Sequence, residues 1–106
     1  MNKYGAKKVK DPVTGYVFDS KKEFNRWCNL RLLERAGKVS DLRRQVKYEL
    51  IPKQDGERAC TYVADFVYKD EQGLQVVEDC KGFRTEGYKI KRKLMLLVHG
   101  IKLKET

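Results

Sequence analysis

Asp65 and Asp79 are the residues whose types and spacing point first to chemistry, because the runs that hold them predict two paired antiparallel strands. Cys60 to Lys69 is dense in β-branched and aromatic residues, and so is Leu74 to Cys80. Between them, Glu71-Gln72-Gly73 reads as a three-residue loop with Gly73 in the left-handed position, which sets Asp70 opposite Leu74. Counting outward places Val67 opposite Val77, Asp65 opposite Asp79 and Val63 opposite Lys81, all on one face. Directly opposed residues have Cβ atoms about 4.5–5.5 Å apart, and like charges there repel unless something positive sits between them. Oxygen ligands with positions left for water and phosphate suit Mg2+ or Mn2+ better than zinc, and Lys81 adds a point charge beside the same spot. The competing reading makes each Asp a solvent-facing strand residue and Asp79 with Lys81 a surface ion pair. Against it, Asp65 lies among Val63, Ala64, Phe66 and Val67, where an unpartnered buried carboxylate is costly. A slip of one residue would oppose Glu78 to Asp65 instead, whereas the Asp79 register keeps Lys81 on the shared face.

These carboxylates need elements to position them. Asp11 to Gly15 reads as a turn, Tyr16-Val17-Phe18 as a short extended piece, and Ser20 with Glu23 as a capping box. Phe24, Trp27, Cys28, Leu32 and Leu33 then recur at helical spacing, which predicts a helix over 21–36 that stops at Gly37. Trp27 is expected in the core. Alternation from Gln45 through Ile51 predicts a first strand, and Asp55-Gly56 a tight turn into the second. Thr85 is a candidate cap for a second helix with an apolar stripe of Ile90, Leu94, Leu97 and Val98 that ends at Gly100. His99 is expected to interact with the end of that helix. Ile101-Lys102-Leu103 predicts a final short strand, parallel to the third because a helix connects them. The order is αβββαβ, an α/β fold with a mixed sheet flanked by helices.

A chain of 106 residues has room for a single domain, taken as 1–106, and excludes a large multidomain enzyme. Lys and Arg number 24 against 15 Asp and Glu, a net charge of +9 that calls for a polyanion, nucleic acid before an anionic membrane. No apolar run approaches the roughly 18 residues of a membrane span, and no signal-peptide core follows the N-terminal lysines, so a cytoplasmic protein is expected. Cys28, Cys60 and Cys80 are far apart and read as reduced thiols. From Lys81 to Lys104 eight basic residues face Glu86 alone, a bias that phosphate contact explains better than a merely solvated face. Arg84, Tyr88, Lys89, Lys91, Arg92 and Lys93 are therefore candidate DNA contacts, with Lys89 to Lys93 and Tyr88 on the polar side of the second helix; Arg43, Arg44 and Gln45 extend the surface.

The element order, Asp65, and Asp79-Cys80-Lys81 on the next strand together resemble the PD-(D/E)XK nuclease superfamily. The phrases Phe18-Asp19-Ser20-Lys21-Lys22-Glu23, Tyr62-Val63-Ala64-Asp65-Phe66 and Val77-Glu78-Asp79-Cys80-Lys81-Gly82 resemble a small phage-encoded branch of it, over about Tyr4 to Glu105. Ala64 stands where the superfamily name implies proline. The resemblance implies a restriction-endonuclease-like fold and a metal-dependent endodeoxyribonuclease. Asp65, Asp79 and the Cys80 carbonyl would hold Mg2+ or Mn2+, Lys81 would orient or activate water, and Glu23 would approach from the first helix. It also implies action on branched DNA such as Holliday junctions by a homodimer, in a host cytoplasm, with Trp27, Leu30 and Tyr16-Val17-Phe18 the expected interface. The alternative is a non-catalytic nucleic-acid-binding module with a relic of the nuclease site.

Overall fold

The computed structural model describes residues 7–80 and 84–106. The chain begins with a small antiparallel hairpin, β1 (Val9–Lys10) with β2 (Val17–Phe18). Asp11 builds its turn by accepting hydrogen bonds from the Val13 N–H at 3.0 Å and the Thr14 hydroxyl at 2.8 Å. Ser20 is extended and accepts from the Glu23 N–H at 3.1 Å, satisfying a donor that the first turn of α1 (Lys21–Arg35) would otherwise leave open. Three strands follow, β3 (Ser40–Ile51), β4 (Cys60–Lys69) and β5 (Gln75–Asp79), then α2 (Glu86–His99) and β6 (Lys104–Glu105). The main sheet has the order β3-β4-β5-β6, with β6 parallel to β5 and the other pairs antiparallel. The αβββαβ order is present, preceded by the hairpin.

The loop between β4 and β5 has the expected form: Gly73 is left-handed at φ 80° and the Asp70 N–H donates to the Leu74 carbonyl at 2.9 Å. The register is Phe66 opposite Glu78 and Val67 opposite Val77, which rejects the one-residue slip. Two apolar clusters cover the two faces of the sheet. Leu50, Tyr62, Ala64, Val67, Val77 and Leu103 pack with Tyr88 and Met95 of α2, while Phe66, Tyr68, Val39, Phe18 and Cys80 pack with Trp27 and Leu30 of α1. Each large apolar side chain fully buried this way contributes ~1.5–3 kcal/mol.

Strict alternation fails at one point, and that point lies at the site. Ala64 and Phe66 are two apart on β4 yet belong to opposite clusters. On β3, Gln45 takes a left-handed φ of 56°, and both Arg44 and its neighbour Gln45 reach Glu23 on α1. The alternation therefore changes phase beside Asp65, and the expectation that Asp65, Val67, Val77 and Asp79 share one uninterrupted face is corrected to that extent.

Other expectations are corrected too. β3 begins at Ser40 rather than Gln45, because its pairing with β4 runs to the end of the sheet. The last strand is Lys104–Glu105, not Ile101 to Leu103: the Ile101 N–H still donates to the Met95 carbonyl, folding the chain over the helix end first. Of the apolar stripe of α2, Leu94 packs against the core, but Ile90 and Leu97 are 57% and 80% exposed, and the helix buries Tyr88 and Met95. Its roll is set by polar anchors: the Tyr88 hydroxyl donates to Glu105 at 2.7 Å, and His99 Nε2 donates to the Glu49 carbonyl at 2.6 Å. His99 thus holds β3, not its own helix end, and Tyr88 leaves the polar side. Of the expected interface, Phe18, Trp27 and Leu30 are buried in the fold, whereas Tyr16 and Val17 are exposed.

Candidate functional site

Near the point where the alternation of β4 changes phase, three elements contribute a buried carboxylate each. Asp65 and Glu23 are each 3% exposed and Asp79 is fully buried. The Cys80 N–H donates to Asp65 Oδ2 at 2.7 Å, tying the end of β5 to β4. Asp79 Oδ2 accepts a short hydrogen bond from the Tyr62 hydroxyl. Glu23, one turn into α1, accepts from Gln45 Nε2 at 3.4 Å and lies 3.7 Å from the Arg44 guanidinium. Arg44 is itself occupied: it donates to the Val17 carbonyl at 3.2 Å and covers the rings of Phe18 and Tyr16 at 4.3 and 5.0 Å. Glu23 is thus both a first-turn residue, as the capping pattern predicts, and a member of the cluster.

The electrostatics of the cluster run against those of the chain. Burial pushes the Glu23 carboxyl up to about 7, and the charges of Asp65 and Asp19 push the same way; Arg44 offsets only part of this. In a protein with nine surplus positive charges, the buried Asp65 repels the buried Glu23. Burial also holds the Tyr62 phenol protonated, helped by its hydrogen bond to Asp79, so it stays a donor. Carboxylate oxygens are hard donors of the kind that a divalent cation of the Mg2+ class takes. Among the described residues, however, no three His, Cys, Asp or Glu side chains stand close enough together to form a metal-binding group. Lys81, the expected catalytic lysine, lies outside the described residues.

The candidate DNA contacts divide by whether a carboxylate neutralises them. Arg84 and Arg92 both pair with Glu105, at 2.8 and 3.1 Å, and Tyr88 joins the same carboxylate. Lys89 pairs with Glu86 at 3.3 Å, and Arg43 with Asp41 at 3.8 Å. Lys91 and Lys93 have no such partner among the described residues. Tyr62, Arg26 and Glu105 escaped the sequence reading. Tyr62 stands three residues before Asp65 but reaches Asp79 on the neighbouring strand, a cross-strand relation that no local pattern carries. Arg26 and Glu105 find their partners 52 and 17 residues away, Glu78 and Tyr88.

No helix among the described residues is long and apolar enough to cross a membrane. No curated protein and no solved structure matches the chain. One family model spans nearly the whole length, and its description as a protein of unknown function assigns no activity. Since that model matches residues 1–104, the chain belongs to the DUF1064 family.

Proposed function

We propose that this protein is a metal-dependent endonuclease that hydrolyses DNA phosphodiester bonds, with a site of the PD-(D/E)XK kind. The observation that carries the reading is the buried group of Glu23, Asp65 and Asp79, like charges drawn together in a basic domain. Asp65, Asp79 and the Cys80 carbonyl are the residues that would hold Mg2+ or Mn2+. When bound, the ion polarises the phosphoryl oxygen and lowers the pKa of a coordinated water. The Cys80 N–H orients Asp65, and the Tyr62 hydroxyl orients Asp79. Glu23, held near neutral pKa, is suited to take a proton from water, and Gln45 and Arg44 fix its side chain. Lys81 has the role of stabilising charge on the phosphate, and Lys91 and Lys93, without a carboxylate partner among the described residues, hold the DNA backbone. Use of branched DNA by a homodimer, each copy cutting one strand, belongs to the same reading.

One observation favours the second reading, a nucleic-acid-binding module without catalysis: Asp65 Oδ2 and Asp79 Oδ2 already accept hydrogen bonds from the protein. Linear, flapped and four-way DNA, incubated with Mg2+ or Mn2+ and with EDTA, separates the two. Cleavage that needs metal and disappears in Asp79→Asn supports the nuclease; metal-indifferent binding with no cleavage selects the module. Light scattering with and without a four-way junction reads the oligomeric state.

A further inference from the structure

Beside the carboxylates lies a cleft of about 420 Å3 between the start of β4 and the first turns of α2. Tyr62 and Tyr88 line it together with Thr61, Thr85, Gly87 and Lys91. Because the Tyr62 hydroxyl donates to Asp79, the wall of the cleft is also the wall of the candidate site.

Gly87 is the unexplained residue there. It sits inside α2, where glycine is less favourable than alanine, and it does not adopt a positive φ. A Cβ built on it meets only Thr85 Oγ1, at 3.9 Å, so nothing in the fold forbids a side chain. A glycine that the protein's own packing does not require, on the wall of a cleft, marks the close approach of something from outside.

The lining tells what approaches. Lys91 is the charged side chain of the cleft, and unlike Lys89, Arg84 and Arg92 it has no carboxylate partner among the described residues. Thr85 Oγ1 accepts from the Tyr88 N–H at 3.1 Å, which leaves its own proton to donate. One cation and two threonine hydroxyls match a phosphate and a sugar, and the exposed Val63, beside the largely buried Tyr62 and Tyr88, gives a base an apolar wall to stack against. The volume is that of a small-molecule pocket, enough for one such unit and not for a duplex.

We propose that this cleft is a nucleotide subsite, which takes one unstacked nucleotide of a single DNA strand with its backbone against Gly87 and its phosphate on Lys91. The inference rests on the nuclease reading for the identity of the strand, and it narrows the substrate to DNA with a single-stranded or frayed segment next to the scissile bond.

The test is binding of a fluorescently labelled deoxyoligonucleotide in EDTA, where no cleavage intervenes, by wild type, Gly87→Ala, Lys91→Ala and the remote control Lys38→Ala. Gly87→Ala is expected to raise the melting temperature and yet weaken single-strand binding about tenfold, since a stacked and backbone-seated nucleotide is lost. Lys91→Ala should weaken it about threefold, Lys38→Ala should leave it unchanged, and a blunt duplex should respond less to Gly87→Ala than the single strand. Wild-type affinity in Gly87→Ala, equal losses on duplex and single strand, or no binding by wild type overturns the subsite. The nuclease reading is scored separately on the same proteins by adding Mg2+. Binding that depends on Gly87 without any cleavage keeps the subsite and removes the nuclease. Metal-dependent cleavage indifferent to Gly87 does the reverse.

Discussion

Glu78 and Asp79 are consecutive, both buried, and point to opposite faces of β5. On the α1 face, Arg26 grips both oxygens of Glu78 at 2.6 and 2.9 Å, the Tyr68 hydroxyl donates at 2.5 Å, and Thr106 adds a fourth bond at 3.2 Å. Burial by itself would raise this carboxyl, but the Arg26 and Tyr68 hydrogen bonds outweigh it and hold it below the usual range. On the other face, Asp79 has its own tyrosine, Tyr62, while in the first turn of α1 burial and the charge of Asp65 push Glu23 up to about 7. The difference separates two uses of a buried acid. A carboxylate clamped by an arginine fastens one element to another, whereas a carboxyl pushed up by burial and a like charge is poised to take up a proton or other positive charge.

That contrast can be broken, and the largest effect should come from the fastened side. Arg26→Ala leaves Glu78 buried and uncompensated, and denaturant unfolding should show a loss of about 3–5 kcal/mol. Replacing both members, Arg26→Met with Glu78→Leu, should recover most of it. A loss under about 1 kcal/mol for the single variant would show that Glu78 is not neutralised by Arg26. Asp79→Asn is the counterpart on the open side. Its amide oxygen still accepts from Tyr62, so stability should change by less than about 1 kcal/mol, while metal-dependent cleavage should fall by about 10³-fold. Asn is also the better probe at position 65, because Ala would relieve repulsion but strand the buried Cys80 N–H.

Glu23 sharpens the comparison through pH. Its carboxyl ionises near 4.5 when unfolded and near 7 when folded, so the unfolded chain loses the proton first. The cost to folding is absent below about pH 4.5, grows as pH rises, and is complete above about pH 7, on the order of 3 kcal/mol. Glu23→Gln should therefore be more stable than wild type at pH 8 in EDTA and similar to it at pH 4.5, measured by unfolding at the two pH values; an equal difference at both would contradict the raised ionisation. The smallest expected effect compares the two tyrosines. Tyr68→Phe and Tyr62→Phe each remove a buried hydroxyl bonded to a carboxylate, and each should cost about 1–2 kcal/mol. Only Tyr62→Phe should also change the cleavage rate and its pH profile, and an equal change in Tyr68→Phe would erase the distinction between the faces.

The local elements were legible in the sequence because short-range chemistry determines them. Ser20 and Thr85 as caps, Gly73 as the left-handed loop residue and Gly100 as the helix end each depend on a few neighbours. From Gly73 the register of β4 with β5 followed by counting, Val67 opposite Val77 and Phe66 opposite Glu78, since pleating leaves no freedom once one pair is set. Helix α2 marks the limit. Of its apolar stripe Leu94 reaches the core, but Ile90, Leu97 and Val98 stay exposed while Tyr88 and Met95 are buried, because Glu105 and the Glu49 carbonyl anchor the other side. Periodicity measures how apolar a face is; it carries no record of which distant group will hold that face down. The same holds at the site. The sequence by itself determined that β4 and β5 pair in the register counted from Gly73 and that the chain is strongly basic. Only the tertiary structure decided which buried acid would receive an arginine, that Gln45 would break the alternation beside Asp65, and that a tyrosine from β4 would orient Asp79, because each depends on groups that meet only after the chain has closed on itself.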